Sequence, residues 1–134
     1  MESLKEQLIR HEGLRLTVYD CPAGYKTIGV GRNIEHKGIT ESEALYLLDN
    51  DIGYFTEQLE DNLIGFQELP EDKKAVLVNM AFNLGVNGLL KFKNMLAAVT
   101  EERWEDASSE MLNSRWADQV GNRATELAEV MAND

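Results

Sequence analysis

The stretch ELPEDKKAVLVNMAFNLG, residues 68 to 85, constrains this chain most. Pro70 stands where a helix can begin, because the first turn needs no donor from it, and acids follow it as the positive end of a helix favours. The apolar residues behind it, Ala75, Val76, Leu77, Val78, Met80, Ala81, Phe82 and Leu84, go almost all the way round a helical wheel. A helix apolar on every side must be enclosed by others. The expectation is therefore a central helix, ending at Gly85, inside a helical lobe. The neighbours come from the rest of the chain. Thr40 and Glu43 form a capping box ahead of a helix over 41–61, with Leu45, Leu48, Ile52, Phe55 and Leu59 at helical spacing. Shorter helices are expected near 88–98, 101–112, 115–119 and 122–132, with Thr100 as the N-cap of the second. Residues 2–10 read as a further helix with Leu4, Leu8 and Ile9 facing inward.

One region breaks this pattern. LTVY and KTIGV are rich in β-branched and aromatic residues and flank the turn sequence DCPAG, so residues 16–31 read as a β-hairpin. The fold class is α+β, mostly α, with a small β-hairpin lobe, a larger helical lobe and a cleft between them. At 134 residues the chain suits a single domain.

Composition excludes several functions. A formal charge of −11 disfavours nucleic acid, whose phosphates need a basic surface. Arg10, Arg15, Arg115 and Arg123 could still converge into a local basic patch. No run reaches the roughly 18 apolar residues that a membrane span needs. A lone cysteine forms no internal disulfide, and the N-terminus MESLKEQLIRHEG lacks the apolar run of a signal peptide. Synthesis in a cytoplasm, no membrane association and a monomer are expected. No metal-ligand spacing involves His11 or His36, so neither a metal nor another cofactor is expected.

The chemistry concentrates in HEGLRLTVYDCPAGYKTIGVGR, residues 11–32. Glu12 sits where a helix hands over to a strand. Cys21, Asp20 and Thr27 lie in or beside the following turn, which a hairpin can fold back toward Glu12. A carboxyl group facing a second acid or thiol is the arrangement that glycoside hydrolysis uses. Either Cys21 or Asp20 could supply that second group.

The same residues carry a resemblance. The run EGLRL-x-VY-x8-TIG-V-G resembles the catalytic segment of the T-even phage lysozymes, glycoside hydrolase family 24. GIT-x-x-EA (38–44), NMAFNLG (79–85), RWEDA (103–107) and SRWADQVGNRA (114–124) are similar, in the same order, to that family's inter-lobe helix, central helix and C-terminal helices. The resemblance implies one lysozyme-like domain over 1–134. Its β-lobe would span about 14–38, its inter-lobe helix about 40–61, and its helical lobe about 62–134 with the N-terminal helix 2–11. It implies a muramidase that cleaves the β-1,4 bond between N-acetylmuramic acid and N-acetylglucosamine, used as a phage or prophage endolysin. Such an enzyme would wait in the host cytoplasm until a separate membrane lesion releases it to peptidoglycan. By the same matching Glu12 is the general acid, Cys21 takes the place of the family's second catalytic residue, and Thr27 positions water, with Asp20 one position out of register. Arg123 would orient Glu12, and Phe82, Asn83 and Gln119 would line the sugar cleft. Asp20 beside Cys21 is expected to push the thiol pKa up. A lytic transglycosylase using one glutamate, or a catalytically silent peptidoglycan-binding module, are the alternatives.

Overall fold

The computed structural model describes residues 1–134 and divides into two compact units, Met1–Leu47 and Leu48–Asp134. The division falls within one long helix.

In the first unit, helix α1 spans Leu4–Glu12. Ser3 caps it: its hydroxyl accepts from the Glu6 N–H at 3.1 Å while Glu6 returns a bond to the Ser3 N–H. Gly13, at φ 80°, ends it with its N–H on the Ile9 carbonyl. Strands β1 (Arg15–Asp20), β2 (Lys26–Gly29) and β3 (Arg32–Asn33) form an antiparallel sheet in the order β1-β2-β3. Tyr19 pairs with Thr27 and Asp20 with Lys26, while β1 bulges between Arg15 and Tyr19. The expected hairpin is present. A third strand, and a one-turn helix α2 (Ile34–Lys37) capped by Asn33, extend it beyond the expectation.

Thr27 is the only buried residue among the first 47. Leu4, Leu8 and Ile9 are exposed rather than inward-facing. A unit this short has too little chain to enclose a core of its own.

Helix α3 (Glu41–Asn62) begins at the expected capping box, Thr40 with Glu43. Its apolar stripe is less buried than its spacing suggests. Leu59 is enclosed, whereas Leu45, Leu48 and Ile52 are exposed. In the second unit a 3₁₀ turn, Phe66–Glu68, leads into α4 (Glu71–Leu84), followed by α5 (Val86–Leu90), α6 (Lys93–Thr100), α7 (Trp104–Leu112), α8 (Arg115–Val120) and α9 (Asn122–Ala132). Two helices therefore replace the single one expected over 88–98. Thr100 is not an N-cap: it ends α6, its hydroxyl bonded to the Leu96 carbonyl, and Glu102 at φ 57° breaks the chain before α7.

Helix α4 contributes Val76, Leu77, Met80 and Ala81 to the core, but it is not enclosed all round. Ala75, Asn79 and Phe82 are exposed on its other face, and Phe82 keeps 42% of its surface. Small residues let α7 and α9 approach closely. Ala107, Ala124 and Ala128 are all buried, and the Ser108 hydroxyl donates to the Ala128 carbonyl at 2.8 Å. Met80, Met95, Met111 and Met131 fill the remaining space, so four of the five methionines are core residues.

Lys73 is the unexpected member of this core, with 1% of its side chain exposed. Its ammonium donates to the Val130 carbonyl at 2.7 Å and to the Asn133 carbonyl, at the end of α9. The Asp72 carboxylate lies 3.2 Å away, and the Trp104 ring centroid 5.2 Å away. A cation suits the negative end of a helix, whose last carbonyls have no partner within the helix.

Candidate functional site

The turn between β1 and β2 is built by its own residues. Pro22 follows Cys21, and the Gly24 N–H closes the turn on the Cys21 carbonyl at 2.7 Å. The Tyr25 carbonyl then accepts two bonds, from the Cys21 N–H and from the Thr27 hydroxyl, both at 2.9 Å. One carbonyl thus ties Cys21 and Thr27 together.

The backbone N–H of Tyr25 does most to hold the Cys21 thiol below its ordinary value; burial opposes it, and the Ala23 N–H, the Thr27 hydroxyl and the Gly24 N–H assist. This corrects the expectation of a raised thiol. Asp20 does not act on Cys21, because its carboxylate is paired with the Lys26 ammonium at 2.7 Å, directly across the β1–β2 register.

Glu12 is the last residue of α1, and its carboxyl has no hydrogen-bond or ion-pair partner in the protein. It lies against the backbone of Gly31, just beyond β2. A Cβ placed on Gly31 would stand 2.5 Å from Glu12 Oε2, and Gly31 has φ 63°. Only glycine allows both the conformation and the approach. Gly31→Ala should displace the Glu12 carboxyl and lower any activity that depends on it at least tenfold, while the melting temperature falls by only a few degrees, roughly the effect of a 1–2 kcal/mol backbone strain. An unchanged activity would show that the contact does not position Glu12.

Behind this turn, Arg32 makes a two-point contact with Glu43, with both N···O distances 2.6 Å, and also donates to the Gly38 carbonyl. The guanidinium, with help from the Thr40 N–H, holds the Glu43 carboxyl down at about 2. One carboxylate therefore closes the capping box of α3 and anchors the end of the sheet.

The other candidates belong to the second unit. Arg123 is held by Asn79: Nε donates to Asn79 Oδ1 at 3.0 Å, and Nη2 donates to Oδ1 at 2.8 Å and to the Asn79 carbonyl at 3.1 Å. Arg123, Asn79 and Phe82 line a cavity of about 490 Å³ with Leu48, Ile52 and Val78. The Phe82 ring packs 5.3 Å from that of Phe55. Asn83 faces elsewhere and accepts the Trp116 indole N–H at 2.8 Å. Gln119 lines a second cavity beside Trp116. The cleft candidates thus separate into two pairs, Phe82 with Arg123 and Asn83 with Gln119. Three of the four arginines offered as a basic patch have partners of their own. Arg10 pairs with Glu2, Arg15 lies over the Tyr19 ring and Arg123 is taken by Asn79.

Asn79 is the residue that sequence reasoning passed over. Gly29 and Gly31 read in the sequence either as weakening the second strand or as letting another group approach its backbone closely, and Glu12 makes that approach at Gly31. Asn79 had a readable signal, a polar residue on an apolar helix three positions before Phe82. No group of three or more His, Cys, Asp or Glu side chains comes together as a metal site. No helix is long and apolar enough to cross a membrane.

Comparison with known proteins agrees with the residues. The phage lysozyme family model matches residues 9–130. The chain is 32% identical to the probable T4-type lysozyme 1 of Dictyostelium discoideum over 98% of its own length and 94% of that protein. It is 28% identical to the probable T4-type lysozyme 2 of the same organism, with coverage of 97% and 94%. A third relative, the pre-baseplate central spike protein Gp5 of Enterobacteria phage T4, is 30% identical over 96% of this chain, which spans 27% of that larger protein. With a family match across nearly its whole length, the chain belongs to the phage lysozyme family.

Proposed function

We propose that this protein is a peptidoglycan hydrolase that cleaves the β-1,4 bond between N-acetylmuramic acid and N-acetylglucosamine. The observation that carries the reading is the unpartnered Glu12 carboxyl, seated against Gly31 in the unit whose hairpin turn ties Cys21 to Thr27. Family membership supports it. Glu12 is the general acid that protonates the leaving glycosidic oxygen. Cys21 activates the attacking water, or attacks the sugar carbon itself, and the Thr27 hydroxyl positions that water. Phe82, Asn83 and Gln119 contact the glycan. The biological role that fits is an endolysin, acting on the wall once a separate membrane lesion releases it.

The lowered thiol sharpens the expected pH dependence. A base must be deprotonated to act, so activity should rise through the Cys21 pKa, below the ~8.5 of a free thiol. Cys21→Asp should move that acidic limb toward the carboxylate range near pH 4. An identical pH–rate profile for the two proteins would exclude Cys21 as the base.

One observation favours a second reading. Asp20 is engaged by Lys26, which leaves Glu12 as the free carboxyl beside this hairpin. A lytic transglycosylase needs only one acid, because a hydroxyl of the substrate attacks in place of water. Weighing the muropeptides released from purified peptidoglycan decides between them. Hydrolysis gives products heavier by one water with a reducing end, whereas transglycosylation gives anhydro products. Absence of any released sugar would overturn both readings and leave a binding module.

A further inference from the structure

Three consecutive residues, Tyr25, Lys26 and Thr27, are each met by a residue of the stretch 33–36. Thr27 pairs with Asn33 across the β2–β3 ladder. The Lys26 N–H donates to Glu35 Oε1 at 3.0 Å. The Tyr25 ring meets the His36 ring edge-on, with centroids 4.5 Å apart and planes at 66°. Strand β3 ends at Asn33, and beyond it the Glu35 carboxylate takes over as the acceptor for β2. The other carboxylate oxygen, Glu35 Oε2, lies 3.5 Å from His36 Nε2 and links the two side chains.

Four residues are too few to hold a helix by themselves. Helix α2 persists because both its ends are tied. The His36 N–H donates to Asn33 Oδ1 at 3.1 Å, and Arg32 donates to the Gly38 carbonyl, just past the last turn, at 3.3 Å. The hairpin it faces is short of support. The β1 bulge leaves only the Tyr19–Thr27 and Asp20–Lys26 pairs in register beside the turn, and so short a ribbon is marginal alone. The Asp20–Lys26 ion pair is exposed on both sides and adds little. Yet this turn carries the chemistry. The Tyr25 carbonyl accepts from both Cys21 and Thr27, and the Tyr25 N–H does most to lower the thiol. Glu35 and His36 keep 44% and 59% of their side chains exposed. Their contacts add little to any core, and their effect falls on the residues they touch.

We infer that Glu35 and His36 are positioning residues: α2 clamps the Tyr25–Lys26 backbone and so holds Cys21 and Thr27 in the placement the reaction uses. The purpose of the clamp rests on the hydrolase reading above. Its hold on Cys21 does not, and can be measured without substrate.

Cys21 is the only cysteine, so the pH dependence of alkylation by iodoacetamide reports its thiol alone. Glu35→Ala/His36→Ala should raise the thiol pKa by about half a unit or more, the scale of one weakened hydrogen bond. It should lower kcat on a soluble glycan roughly tenfold with KM unchanged, because misplaced groups cost rate. The melting temperature should fall by no more than a few degrees. Loss of the Glu35 charge by itself would lower the thiol, so the sign of the shift separates placement from charge. His36→Phe keeps a ring against Tyr25 and should retain the wild-type thiol and most of kcat. Lys37→Ala alters the same helix without touching either contact and should change neither. An unchanged or lowered thiol in the double variant would overturn the clamp, and so would a loss in His36→Phe as large as in that variant. A raised thiol with an unchanged kcat would overturn the positioning role. Sugar release without any thiol shift overturns the clamp and keeps the hydrolase. A raised thiol in a protein whose wild type releases no sugar keeps the hold on Cys21 and overturns the hydrolase.

Discussion

Glu12→Gln is expected to abolish peptidoglycan cleavage while leaving the fold intact, with a fall in kcat of about 10³-fold or more. General acid catalysis contributes about 10²–10⁴-fold, and an amide cannot give up the proton that the leaving oxygen needs. The substitution is nearly isosteric. Glu12 makes no ion pair or hydrogen bond in the protein, so nothing structural is lost with its charge. Circular dichroism and the melting temperature should match the wild type, and substrate binding should persist. A variant that retains a tenth of the wild-type rate would remove Glu12 from the mechanism. A variant that melts many degrees lower would show that the carboxyl was structural.

Lys73→Met should have the largest effect on stability. The methionine keeps the aliphatic stem but removes the ammonium that reaches the Val130 and Asn133 carbonyls and sits over Trp104. Two carbonyls at the end of α9 then lose the donor that the buried Lys73 side chain brings them. Each acceptor left without its donor costs about 1–3 kcal/mol. For a chain of this size the melting temperature should fall by roughly 10 °C. Hydrogen exchange at the C-terminal end of α9 should accelerate beyond the global change. Lys73→Arg should recover part of the loss, since it keeps the charge but cannot fit the same space. A shift under 2 °C for Lys73→Met would mean that the carbonyls find other donors.

Features carried by short, local rules could be read from the chain. Thr40 with Glu43 starts α3 where the capping box says, because both bonds span three residues. DCPAG makes its turn for the same reason. Features that depend on distant partners could not. Nothing beside Lys73 in the sequence indicates that the end of α9, nearly sixty residues on, supplies its acceptors. Thr100 had the chemistry of a cap, but the preceding helix claimed it. Asp20 looked like a modifier of Cys21 because the two are adjacent. Cys21 lies in the turn beyond the strand, and the partner of Asp20 is Lys26, directly across the ladder. Spacing brought Glu12, Cys21, Asp20 and Thr27 forward as candidates and the resemblance singled out Glu12, Cys21 and Thr27, whereas the depressed thiol came from backbone donors that no side-chain pattern encodes.

The methionine-filled core has a consequence under oxidative stress. Met80, Met95, Met111 and Met131 are sealed from solvent while the chain is folded, so peroxide reaches their sulfurs only during transient opening. Each sulfoxide formed then brings a polar oxygen to a place built for a thioether, and the opened form cannot close as before. Chemical damage would act as a ratchet on unfolding. The rate of inactivation by peroxide would count excursions from the native state rather than collisions at its surface.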